Sequence, residues 1–299
     1  MFPSAEESDI LDKCRALKEA NFWLPEPLLR PQAWLSNFSS REDTEAALII
    51  LDRFQFFSNR MVNCMLQAAY DKLGYQLVRP CKSSSEAADI IRQFLDKAIF
   101  TRVEGENPNP TDSGNLFCRK ARQELSIPEN QVTEPKDALE FASKGHPIVF
   151  LDDFIGSGQQ FISTWERPYS KTPPVSFAEV HRMSSFDCSY ICLLSTEHAL
   201  RAIRSANIPA TIYAAHSLSD RYSVQNWTPT EHSSKVQDLL KRHANRLRLP
   251  GYMAQSPYRL FGFHSLGLAV AFEHTIPDAS LPIIWADGDS DWHPLFRRS

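Results

Sequence analysis

No apolar run in this chain approaches the roughly eighteen residues that a membrane span needs. The opening stretch, MFPSAEESDILDKC, is acidic and lacks the basic-then-apolar order of a secretory signal. Both absences predict a soluble, cytoplasmic protein with no membrane partner. There is no C-x-x-C pair either. The cysteines Cys14, Cys64, Cys81, Cys118, Cys188 and Cys192 are scattered, and only the last two lie close together, in a strand-like segment with no histidine nearby. That pattern argues against structural zinc and for buried free thiols in a reducing compartment. Internal repeats and low-complexity tracts are missing, as are a Walker A loop and a GxGxxG fingerprint, which removes the common P-loop and Rossmann nucleotide sites. A formal charge of −4 gives no global attraction to nucleic acid.

What is present is a chain of 299 residues, 42% hydrophobic, long enough for one large domain with an added subdomain. Up to residue 96 the patterns are helical. SAEESDILDKCRALKEA is amphipathic and opens with acids, which suit a helix start. REDTEAALIILDRF gathers Ala46, Ile50, Leu51 and Phe54 on one side, and SSSEAADIIRQFLDKA begins with serines able to cap. From residue 97 onward, short apolar runs alternate with helical patterns. AIFTRV, PIVFLDD, CSYICLLS and PATIYAA read as strands; SGNLFCRKARQEL, QQFISTWER and TEHALRAIRSA read as helices. This alternation predicts an α/β fold with a mainly parallel sheet flanked by helices. LGLAVAF (266–272) and PIIWA (282–286) read as the last strands. The expected organisation is a helical N-terminal region, 1–96, packed on an α/β core, 97–299, with a helical insertion near 216–262. That insertion carries Lys241, Arg242, Arg246 and Arg248, either a solvated helix face or a patch for a nucleic acid or partner.

The segment HPIVFLDDFIGSGQQF holds the strongest chemical signal. An apolar strand ends in two acids, Asp152 and Asp153. Gly156-Ser157-Gly158 follow, and then a segment able to start a helix with Gln159 and Gln160. Carboxylates accept hydrogen bonds from sugar hydroxyls, and bare N–H groups at a helix start hold a phosphate. Strand ends in open parallel sheets face the crevice where ligands bind. The order of residue types therefore suits a sugar phosphate.

LDDFIGSGQQF resembles the PRPP-binding motif of type I phosphoribosyltransferases: an apolar strand, two acids, two variable residues and a small Thr/Ser-Gly loop. The wider chain is similar to a divergent phosphoribosyltransferase-like family found in bacterial conflict and phage-defence loci, some of them retron loci. VEGENPNPTDSG, FLDDFIGSGQQ and FEHTIPDASLPIIW carry that likeness, with WLSNF and FQFFS in the N-terminal half. The resemblance implies that Asp152 and Asp153 hold the ribose hydroxyls, that residues 156–160 hold the 5′-phosphate, and that Mg2+ accompanies PRPP. Gln160 departs from the motif, which usually has Thr or Ser there.

Two further segments are candidates. VEGENPNPTDSG lies between a strand and a helix, with prolines stiffening it and Asp112 or Ser113 able to cap. Glu104 and Glu106 would repel pyrophosphate directly, so they suit a metal or a base; Arg119, Lys120 and Arg122 on the next helix are candidate cations. Glu273-His274 follows LGLAVAF and has the residue types for proton transfer. If strand ends gather on one rim, these segments join the acidic loop in one crevice. The leading expectation is a phosphoribosyltransferase acting in antiviral defence. The alternative is a non-catalytic nucleotide-binding or scaffolding module in a defence protein or nucleoprotein complex.

Overall fold

The computed structural model describes residues 5–105, 113–170 and 174–297. Among them the strands are β1 Gln55–Phe57, β2 Ile99–Arg102, β3 Ile148–Leu151, β4 Phe154–Ile155, β5 Cys188–Thr196, β6 Ala210–Leu218 and β7 Val270–Phe272. Chain contacts divide the protein into two compact units. One is Met1–Val62 with Ser219–Ser299; the other is Asn63–Leu218. The fold is α/β, with parallel strands in two sheets, helices flanking them and a helical N-terminal segment. No described helix is long and apolar enough to cross a membrane.

The unit Asn63–Leu218 is built on a parallel sheet in which β3 pairs with β2 on one side and β5 on the other, while β6 lies along the far edge of β5. All four residues of β3 are buried. That is why Ile148-Val149-Phe150-Leu151 reads as an unbroken apolar run rather than an alternation. β4 also pairs with β5, on the side of β3. Leu151 sits opposite Ile191 and Phe154 opposite Leu194, an equal spacing on both strands. β4 is therefore the continuation of β3 after a local break at Asp152-Asp153.

The helix Gln159–Glu166 buries Phe161, Thr164 and Trp165, a three-four spacing that places them on one stripe. Phe161 packs edge-on against Phe150 with centroids 5.2 Å apart, and Phe150 does the same with Phe177 at 5.1 Å. This aromatic layer holds the helix, and so the loop before it, against the sheet.

The other unit buries Trp34, Trp227, Trp285 and Trp292 in its own core. Its helices include Arg41–Arg53, which buries Ala46, Ile50 and Leu51, and the basic helix Thr230–His243. Most of the cations noted in the sequence are paired there. Arg242 meets Asp43 at 2.6 Å and Glu42 at 3.3 Å, Lys241 meets Asp238 at 3.0 Å, and Arg246 meets Asp289 at 2.8 Å while lying over Trp292. These pairs use up much of the charge that a nucleic-acid patch would offer.

Three features differ from the sequence reading. PIIWA forms a short helix, Pro282–Trp285, not a strand: proline at its start presets φ, and the Ala286 N–H closes the turn onto the Pro282 carbonyl. The 266–272 run contributes only β7, and β7 pairs with β1 in a separate two-stranded sheet rather than with the larger one. The compact units also follow a different cut from 96/97, because the C-terminal segment packs with the first helices: Trp34 Nε1 donates to the Ile283 carbonyl at 2.8 Å and Arg30 N to the Leu295 carbonyl at 2.9 Å.

Phe161→Ala removes a ring that is 1% exposed from the layer under the loop. Chemical denaturation is expected to show a loss of about 3–5 kcal/mol, typical of a fully buried phenylalanine.

Candidate active site

At the end of β3 the backbone leaves the regular ladder. Asp152 N still donates to the Ile191 carbonyl at 3.2 Å, but the Asp153 carbonyl then accepts from both Leu193 and Leu194, at 3.0 and 3.1 Å. One carbonyl serving two donors lets both acids turn without leaving backbone groups unmatched. Asp152 and Asp153 are buried, at 4% and 5% exposure.

The donors around Asp152 are neutral. Ser113 Oγ reaches its Oδ1 at 3.0 Å, the Asp153 N–H reaches the same oxygen at 2.9 Å, and Tyr190 OH reaches Oδ2 at 3.1 Å. Burial, and after it the adjoining Asp153 carboxylate, hold the Asp152 carboxyl well above the usual carboxylate range. The Ser113 hydroxyl and the Asp153 N–H pull it down without cancelling the burial. Burial, then Asp152, push the Tyr190 hydroxyl up, so Tyr190 stays a protonated donor.

β4 leads directly into Gly156-Ser157-Gly158. Thr196, at the end of β5, donates its hydroxyl to the Gly156 carbonyl at 2.5 Å and caps the next helix by accepting from Ala199 N at 3.0 Å. One threonine therefore ties the loop to the sheet. Gly158 has φ +81 and precedes the helix Gln159–Glu166. A Cβ there would lie 3.1 Å from the Ala199 carbonyl oxygen. Ser157 Oγ accepts from Gln159 N at 3.2 Å. Gln159 and Gln160 are exposed on the first turn. No backbone carbonyl among the described residues takes the N–H groups of Ser157, Gly158 or Gln160. The loop is thus a small cradle of available N–H groups at the positive end of a helix.

Glu104 is 7% exposed and lies beside this cradle's helix. Thr164 Oγ1 accepts from the Glu104 N–H at 3.0 Å and sits 2.9 Å from the Gln160 carbonyl. The Glu104 carboxylate is held by Arg102 at 3.2 Å, Arg167 at 2.9 Å and Tyr169 OH at 3.0 Å. Arg167 also donates to the Gly105 carbonyl at 2.6 Å, and Arg102 pairs with Glu134. Glu104 therefore anchors the loop entrance. Glu106, with Asp112, falls outside the described residues. Of the candidate cations, Lys120 is buried and donates to Asn63 at 2.6 Å, Arg122 pairs with Glu129 at 3.0 Å, and Arg119 is exposed.

Ser113, Asp152, Asp153, Glu104 and residues 156–160 thus share one unit and are joined by direct hydrogen bonds or short chain steps. Glu273 and His274 belong to the other unit. Glu273 directly follows β7, donates its N–H to the Phe57 carbonyl at 2.9 Å, and accepts from Asn59 N at 2.7 Å, at the start of the helix Asn59–Val78. His274 stacks on Phe272 with centroids 5.3 Å apart. Tyr190, Thr196, Arg102, Arg167 and Tyr169 were not among the sequence candidates. Tyr190 had one visible signal, a phenol between the apolar residues and serines of its strand.

A family model supplies the wider frame: PRTase-CE matches residues 31–298. The chain belongs to this phosphoribosyltransferase-like family. No curated protein matches it. In this PRTase-CE protein the acids and the glycine loop lie in the unit with the larger parallel sheet, at the carboxyl end of β3.

Two outcomes follow from this geometry. Gly158→Ala forces a side chain into a left-handed position against a carbonyl, and should cost about 1–2 kcal/mol in denaturant unfolding. Asp152 has a raised pKa in the folded state, so its contribution to stability is present below the ordinary carboxylate pKa of about 3.9 and is lost as pH rises through the raised value. Without added metal, the Asp152→Asn protein should lose less thermal stability than the parent as pH rises above the ordinary carboxylate value; melting temperatures that run parallel in the two proteins as pH rises would count against the raised pKa.

Proposed function

We propose that this PRTase-CE protein binds PRPP with Mg2+ and transfers its phosphoribosyl group to an acceptor, releasing pyrophosphate. The observation that carries the reading is a buried pair of carboxylates at a strand end, followed at once by an N–H cradle at a helix start. In this reading Asp153 and Asp152 accept hydrogen bonds from the ribose hydroxyls, and Ser157, Gly158 and Gln160 offer N–H groups to the 5′-phosphate. Gln160 adds a side-chain amide donor where the motif usually has a hydroxyl, so phosphate recognition is retained with altered shape.

The donor set suits Mg2+. That ion is commonly held by one or two carboxylates, with substrate phosphates and water completing an oxygen shell, and Asp152-Asp153 supplies such a pair. When bound, the ion would neutralise charge on the departing pyrophosphate. The residues of the chain do the rest. Ser113 and Tyr190 fix the Asp152 carboxylate so that it need not reorient during reaction. As the bond at C1 breaks, positive charge grows on the sugar, and carboxylates fixed beside it stabilise charge that is absent from the ground state. The acceptor is a nucleophile that takes the place of pyrophosphate at C1.

One observation favours a second reading, a nucleotide-binding or scaffolding module without turnover. Glu104 is fully engaged by Arg102, Arg167 and Tyr169, so it serves the loop rather than a reacting group. The role in bacterial antiviral defence, as an effector in conflict or retron loci with a protein or nucleoprotein partner, rests on family resemblance alone.

Calorimetry with PRPP and Mg2+, followed by an assay of pyrophosphate release, separates the readings. Saturable binding with release supports transfer; binding without release favours the nucleotide-binding module; no binding removes the transfer reading and leaves the scaffolding module. Asp153→Asn should weaken PRPP about ten- to a hundredfold, the loss expected for a charge-assisted hydrogen bond, while the protein remains folded by circular dichroism. Unchanged affinity in the folded Asp152/Asp153 double variant would rule out the ribose role.

A further inference from the structure

The unit formed by Met1–Val62 and Ser219–Ser299 contains a cleft of about 420 Å³, within the range of about 300–1,000 Å³ usual for small-molecule sites. It lies where β1 and β7 begin, with Gln55 on one strand and Val270 on the other. Phe54 and Val270 are buried and make an apolar floor. Tyr222 stands half-buried beside it. The rim is cationic, with Lys13, Arg53 and Arg221 against the single acid Asp52, in a chain whose formal charge is −4.

The three cations have different tasks. Lys13 Nζ donates to the Asp52 carbonyl at 2.9 Å and to its carboxylate at 2.7 Å. It thereby cancels the one acid and covers the carbonyl end of the helix Arg41–Arg53, which would otherwise repel an anion. The Arg53 guanidinium lies over the Trp227 ring, 5.1 Å from its centroid, and donates through Nη2 to the Thr228 carbonyl at 2.5 Å. Its position is set by that ring and carbonyl rather than by a carboxylate. Arg221 is exposed and makes no ion pair among the described residues. Two guanidinium groups with donors to spare, one pre-positioned and one free, match the oxygen geometry of a phosphate. The cleft is larger than a phosphate needs, and its remaining wall is apolar and aromatic.

We propose that this cleft binds a small organic phosphate bearing a planar ring, the class that includes nucleoside monophosphates. Arg53 and Arg221 take the phosphate, the ring lies on the Phe54 and Val270 floor beside Tyr222, and the Gln55 amide meets polar atoms on the ring's edge. The site is separate from Asp152 and Asp153 and does not depend on the function proposed for them.

Titration calorimetry on the full chain with AMP tests it, with inorganic phosphate and adenosine as the other arms. AMP is expected to bind the parent protein, and the Asp152/Asp153 double Asn variant equally well. Arg221→Ala should weaken AMP about tenfold or more; because this side chain is exposed and makes no ion pair among the described residues, its thermal melt should match that of the parent. Equal AMP affinity in Arg221→Ala, or loss of AMP binding in the double Asn variant, overturns the proposal. Inorganic phosphate binding as tightly as AMP removes the ring from it, and adenosine binding as tightly removes the phosphate.

Discussion

Two adjacent carboxylates are buried where a central strand breaks its ladder, and several elements of the unit Asn63–Leu218 converge on that pair. Burying a charge is unfavourable unless it is hydrogen-bonded or paired. The chain answers with backbone and hydroxyl donors. The Asp153 carbonyl takes two N–H groups from β5, so the break leaves β5 satisfied and the register on either side unchanged. Ser113 comes from a helix, Tyr190 from the neighbouring strand, and both end on the same carboxylate. The aromatic layer of Phe150, Phe161 and Phe177 supplies the packing that keeps this geometry in place.

Glu104 shows the contrasting solution. It is equally buried, but two guanidinium groups and a phenol surround it. Its charge is compensated within the protein, and its backbone is bonded to Thr164 on the helix that follows the glycine loop. The residues on either side of 106–112 are therefore fastened to one place: Gly105 by Arg167 and Ser113 by Asp152. An acid can be conspicuous in the sequence and still be occupied with holding a loop.

The class of fold was legible because it rests on local patterns. Buried parallel strands read as apolar runs, amphipathic helices read as three-four spacings, and strand, acids, glycines and helix came in the observed order. Four kinds of feature were not legible. The three-residue strand β1 pairs with β7 across most of the chain, and no local pattern announces so distant a partner. Residues 282–286 are apolar all round, and a short apolar run does not distinguish a buried strand from a buried turn of helix. The roles of Tyr190, Arg102 and Arg167 depend on what stands opposite them in space. The helices Pro135–Ser143 and Phe177–Ser184 also escaped, lying in stretches where the strands on either side carried the stronger signal.

Glu104 and Asp152 together indicate which acids are suited to a ligand. Glu104 meets cations; Asp152 takes its hydrogen bonds from a serine, a backbone N–H and a tyrosine, and burial followed by the adjoining Asp153 raises its pKa. A carboxylate whose charge is already balanced gains little from an incoming cation. One that is buried with neutral partners beside a second acid gains a great deal, because the ion removes the repulsion between the pair as well as the cost of burial. The same unit thus contains an acid whose charge is balanced within the resting fold and another, Asp152, whose charge is disfavoured by burial and by the adjoining Asp153. That difference in partners, more than the acidic residues as such, is what makes the end of β3 the place to look for chemistry.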